Sequence, residues 1–278
     1  MTTPYYLQLH QGTGVGVRVL LNDIPFYSGK GDENVTVTAP ANHLFVPGEN
    51  VVVVEILPGI RPSFAPHVCG PVRFSVFLDD DSRTRIHHMA WPEEWEEPEA
   101  KRKKAAAALL PEGEIDLIPP LDPPLPYLHV SRFHIDDKNA RPIYLDAPKS
   151  DFGPEGLPEQ HEAVRRVFRA FQSGDADAFL DEHALKLSER QRAYPDNGAF
   201  SIAQQRTGVA GHFSKPWRVR PTEMKELVFD KRADGRVAHV TRLTDGQTLE
   251  AVSEDPEDPY FATDLFLTQQ NGVWRVFR

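Results

Sequence analysis

His239 in the stretch RVAHVTRL and Asp264 in YFATDLF are the residues of this chain best suited to move a proton. An imidazole titrates close to neutral pH, and a carboxylate held against it fixes which ring nitrogen carries the hydrogen. In extended segments Val237, His239 and Thr241 share one face, and Tyr260 lies two pairs along the face of Asp264. No motif fixes His239, Asp264 and Tyr260 relative to one another, and a slip of one residue in register turns such a set to the opposite side. The plainer alternative is a histidine hydrogen-bonded within a core.

The other chemistry-bearing residues form weaker patterns. His87 and His88 are neighbours, so on a strand they point to opposite faces, and His129 and His134 diverge in the same way, which argues against a metal site even with the carboxylates of HIDD beside them. Cys69 sits in HVCGP two residues after His67 with no identifiable base, the setting of a packed thiol rather than a nucleophile. No Gly-x-Ser-x-Gly occurs. Neither a metal nor a cofactor is expected.

Gly12, Gly14 and Gly16 in QGTGVGVRVLLNDIPFYSG suggest at first a phosphate-cradling loop. Such a loop needs a helix after it, and a P-loop needs a Lys and a Ser or Thr, whereas the residues after Gly16 alternate as a strand. The glycines therefore read as a turn. Trp91 and Trp95, set among Glu93, Glu94, Glu96 and Glu97, make a different pattern, with ring anchors and carboxylate steering suited to a basic protein partner. The alternative is that the rings pack and the glutamates are solvated.

The whole chain sets the frame for these candidates. Its 278 residues allow two domains, and the formal net charge of -10 argues against nucleic acid, which calls for a basic stripe. A single cysteine excludes an intrachain disulfide. The N-terminal stretch lacks a secretory pattern and no apolar window reaches membrane-spanning length, so a cytoplasmic protein without membrane contact is expected.

Residues 1–150 read as short turn-bounded strands, among them VGVRVLL, ENVVVVEIL and PVRFSVFL, the pattern of an all-β sandwich. An insertion at 91–126 interrupts them with an alanine-rich, helix-favouring run and the proline-dense LIPPLDPPLPYL. Residues 151–157 are expected to link the domains. From 158 the period changes: PEQHEAVRRVFRAFQSG and DADAFLDEHALKL repeat as helices, the second capped by Asp175, and strands come next with hairpin turns at Asp245-Gly246 and Asn271-Gly272. This predicts an α+β domain over 158–278.

On FQSGDADAFLDEH and the closing FLTQQNGVWRVFR, residues 158–278 resemble the NTF2-like, or cystatin-like, cone fold. The resemblance implies a curved sheet wrapped on a helix, a pocket in which His239 faces inward with Asp264 and Tyr260, and a tendency to form homodimers. More faintly, VRVLLND and LFVPGENVVVVEI resemble immunoglobulin-like or carbohydrate-binding sandwiches. The leading expectation is a non-enzymatic binding module, immunity-like or adaptor-like, for a cationic toxin or secreted effector. An NTF2-like isomerase or hydrolase is the alternative, and glycan binding through Tyr5, Tyr6 and Tyr27 is a third.

Overall fold

Alternating apolar residues build the first half of the protein. In the computed structural model, which describes residues 5–31, 33–58, 71–78, 83–91, 125–136, 141–194, 201–213, 217–244, 246–253 and 260–278, the described residues are mostly β, with four antiparallel sheets and four α-helices. The chain divides into one unit ending at Ala140 and another formed by Arg141–Arg278.

The first unit contains β1 (Tyr5–Gln11), β2 (Val15–Leu21), β3 (Ile24–Gly29), β4 (Val35–Pro40), β5 (Gly48–Pro58), β6 (Val72–Leu78), β7 (Arg85–Trp91) and β8 (Tyr127–Ile135). They form two sheets, in the orders β4-β1-β6-β7 and β3-β2-β5-β8. Every second residue, such as Leu7 and Leu9 of β1, Val17 and Val19 of β2, and Val52 and Val54 of β5, enters one buried cluster shared by both sheets. Burying such side chains stabilises the fold by about 1.5–3 kcal/mol each before entropy is counted. Asn50, fully buried, ties the β2–β3 turn to the entry of β5. Its Oδ1 accepts from Asn22 Nδ2 at 2.9 Å and from the Val46 amide at 2.8 Å. The expected insertion at 91–126 lies outside the described residues except for Trp91, Leu125 and Pro126.

The glycine-rich stretch is the turn between β1 and β2. The amides of Gly12, Thr13 and Gly14 donate to Pro71 O, Asn34 Oδ1 and Gly31 O, so these donors are already used within the unit. Gly14 takes φ +88°, a conformation a side chain would resist.

The second unit opens with residues 141–157, which pack into it. Phe152 meets Trp274 edge to face at 5.9 Å, and the Phe229 amide donates to Pro154 O at 2.9 Å. Next come α1 (Pro158–Gln172), α2 (Ala176–Glu182), α3 (Ala184–Ala193), α4 (Ile202–Phe213), β9 (Arg218–Val219), β10 (Leu227–Arg232), β11 (Val237–Arg242), β12 (Leu249–Val252), β13 (Tyr260–Thr263), β14 (Leu265–Gln270) and β15 (Val273–Val276). The sheets run β10-β11-β14-β15 and β13-β12-β9. Val164, Val167, Phe168 and Phe171 of α1 share a buried cluster with Ala238, Val240, Leu265, Leu267, Trp274 and Val276. One face of the four-stranded sheet is therefore turned to α1. The stretch DADAFLDEHALKL, expected as one helix, breaks at His183 into α2 and α3. Among the described residues no helix is long and apolar enough to cross a membrane.

Candidate functional site

His239 lies in the middle of β11, between Asp230 of β10 and Phe266 of β14. Its neighbours Ala238 and Val240 face α1, so strand alternation sends the His239 ring to the opposite face of the sheet. That differs from an inward position beneath α1, because the α1-facing set starts one residue later than the Val237, His239, Thr241 set. The ring lies nearly parallel to Phe266, with centroids 4.3 Å apart and planes 6° from each other.

Asp264 occupies the bend between β13 and β14, and its Oδ2 is 2.5 Å from His239 Nε2. A carboxylate accepts, so Nε2 is the nitrogen that donates, and in the neutral ring Nδ1 is left as an acceptor. Nδ1 is buried and has no hydrogen-bond partner. The His239 side chain is 10% exposed and that of Asp264 is 36% exposed, so the carboxylate is the open end of the pair. Tyr260 pairs through its backbone with Val252, and its ring is not among the described groups.

Three charged side chains that sequence patterning does not single out act on the pair or on one another: Lys186 and Arg278 with Asp264, and Glu189 with Arg278. The Arg278 guanidinium sits 5.5 Å from the centre of the Phe266 ring. Burial lowers its pKa to about 10, while Asp264 and Glu189 favour its charged form. Lys186 of α3 is pulled down to about 8, first by burial and then by Arg190 and Arg278, with Asp264 acting the other way. Glu189, 3% exposed, is pushed up to about 7 by burial, although its Oε1 accepts from the Ile143 amide at 2.7 Å. On a sequence, Lys186, Glu189 and Arg190 in ALKLSERQRA read as the solvated side of a helix. The clue lies in the segment before α1, since Tyr144 packs on Phe277 and Ile143 reaches Glu189.

The remaining candidates are dispersed. Trp91, at 1% exposure, belongs to the core of the first unit, so its ring is a packing residue rather than an exposed anchor. Glu93, Glu94, Trp95, Glu96, Glu97, Cys69 and His67 lie outside the described residues. Tyr5 is buried, Tyr27 donates its hydroxyl to Gln11 at 2.6 Å, and Tyr6 stacks on Phe77, so the three do not form one platform.

His87 and His88 do point apart: His88 meets Ser75 Oγ at 2.7 Å, and His87 meets Ser131 Oγ at 3.0 Å. Yet His87 comes within 6.5 Å of the His129 ring, across strands far apart in sequence. Burial, then the neighbouring His129 and His88, lowers the His87 pKa to about 4. His134 pairs with Asp136 at the exposed surface. Among the described residues no group of three or more His, Cys, Asp or Glu is placed to hold a metal ion.

No family model matches the chain, and no curated protein matches its sequence.

Proposed function

We propose that the second unit is an acid–base enzyme for a small molecule, of isomerase or hydrolase type, working through His239 and Asp264. The observation that carries this reading is an imidazole fixed by a carboxylate at 2.5 Å while its other nitrogen is buried without a partner. A merely structural histidine is normally satisfied at both nitrogens; here Asp264, the open end of the pair, is the group a substrate reaches and takes the proton, while His239 Nε2–H holds the carboxylate in place. Lys186 and Arg278, both electrostatically coupled to Asp264, supply positive charge for an anion developing on the substrate.

The proposed architecture is a β-sandwich followed by an NTF2-like α+β domain. Two face-sharing sheets support the first part, and a sheet turned onto α1 supports the second. Because His239 lies on the face away from α1, the catalytic reading rests on the pair itself and not on the resemblance. A module for a basic protein partner retains the net charge of -10 as support, but its anchors are buried or outside the described residues.

The test assays isomerisation of an unsaturated ketone and hydrolysis of activated aryl esters by the wild type, His239→Gln and Asp264→Asn. Turnover should fall by about 10²–10⁴-fold in either variant, with the melting temperature retained. Turnover unchanged in His239→Gln, or none by the wild type on either substrate class, overturns the reading.

A further inference from the structure

Arg165 and Arg169, one turn apart on α1, face Arg220 across a cleft of about 390 Å³ whose walls include Phe168, Gln172 and Met224. Positions four apart lie on one helix face, which brings the first two guanidiniums to the same side. Arg220 comes directly after β9 and is held there by its amide, which donates to Glu250 O at 2.8 Å.

The carboxylates beside these arginines are shared. Glu162 takes Arg169 at 2.5 Å and Arg165 at 3.6 Å. Glu250 takes Arg220 at 2.7 Å and the buried Arg242 at 2.8 Å. Glu223, the acid nearest along the 220–224 segment, is paired with Lys225 at 2.7 Å. Among the described residues Arg165 and Arg169 thus share Glu162, and Arg220 and Arg242 share Glu250. The Arg165, Arg169 and Arg220 side chains are 48%, 63% and 48% exposed, so their heads reach solvent and can turn to an incoming anion.

Guanidiniums match phosphate oxygens in a two-pronged geometry, and Phe168 and Met224 add an apolar wall beside them. We propose that this cleft binds a small organic phosphate monoester, its dianion between Arg169 and Arg220 and its apolar body against Met224. The proposal is independent of the acid–base pair.

Calorimetric titration with phenyl phosphate tests it, with phenol and inorganic phosphate as comparisons. The wild type should bind phenyl phosphate more tightly than inorganic phosphate, should not bind phenol, and should lose affinity as salt is added. Arg169→Ala should weaken binding by about tenfold or more, the scale of one charge-assisted contact. Arg165→Ala repeats the measurement on the same helix face should Arg169→Ala fail to fold. Arg132→Ala, which removes an exposed arginine of the first unit paired with Glu49, should leave affinity unchanged. Absence of binding by the wild type, equal binding of phenol, or equal weakening by Arg132→Ala overturns the proposal.

Discussion

At Lys186 stability and chemistry pull in opposite directions. Burial drops its pKa from 10.5 to about 8, so between those values the unfolded chain holds the proton more tightly than the folded one. Stability therefore rises with pH across that window, and at neutral pH the folded protein carries the cost of a desolvated ammonium. Lys186→Met should raise stability at neutral pH by on the order of 1–4 kcal/mol and abolish the rise above pH 8, as read by urea unfolding across the window. Unchanged stability at neutral pH would show that the ammonium is already well compensated. If Lys186 supports a developing anion, the same variant should be more stable and less active. Glu189 titrates in the opposite sense: with its pKa raised from 4.5 to about 7, its contribution is full below 4.5 and is lost as pH rises through 7. The pair His239 and Asp264 could be named from residue type alone. Lys186 and Glu189 could not, because charged positions on a helix read as solvated until the distant Ile143 amide is seen to reach Glu189, and Arg278 follows β15 with nothing beside it in sequence to place it on the Phe266 ring.

Elements with strong local chemistry are readable; those defined by distant contacts are not. Asn271 and Gly272, at φ 51° and 78°, form the tight turn that joins β14 to β15, as the dipeptide itself suggests. Asp175 caps α2 by accepting from the amides of Asp177 and Ala178. Asp175→Ala should cost about 1 kcal/mol, measured as a lower urea midpoint with an unchanged slope; a loss too small to resolve would mean that packing alone holds the helix. By contrast, the break at His183 depends on burial, because the ring lies 4.1 Å from Phe179 and its Nδ1 donates to the Phe179 carbonyl. Arg166 is equally cryptic. It bonds both oxygens of Glu182 at 3.1 Å and the Trp274 carbonyl at 2.9 Å, tying α1, α2 and β15 at one point. Nothing in RRVFR marks that arginine out from its neighbours.

For the molecule as a whole, acid is the stress to watch. His87 in the first unit and His183 in the second both have pKa values lowered from 6.5 to about 4, each mainly by burial. As pH falls from 6.5 towards 4 the unfolded chain takes up protons that the folded chain refuses, so both units lose stability in the same window. The isoelectric point of about 5.6 lies inside it, where charge repulsion between molecules vanishes. Leu128 and Val130, 58% and 55% exposed on the outer face of the edge strand β8, then face little opposition to self-association. Light scattering should rise near pH 5.6, and Leu128→Lys with Val130→Lys should reduce it; scattering that is flat across the window, or indifferent to those changes, would refute the account.

The stacking of His239 on Phe266 also has a practical value. A ring lying 4.3 Å above another and nearly parallel to it feels the current circulating in its neighbour, which moves its carbon-bound protons upfield. The His239 resonances should therefore move upfield together with those of His183, whose ring lies 4.1 Å from Phe179, and loss of one shifted set in His239→Gln would assign the pair and make its proton state visible in solution before any substrate has been found.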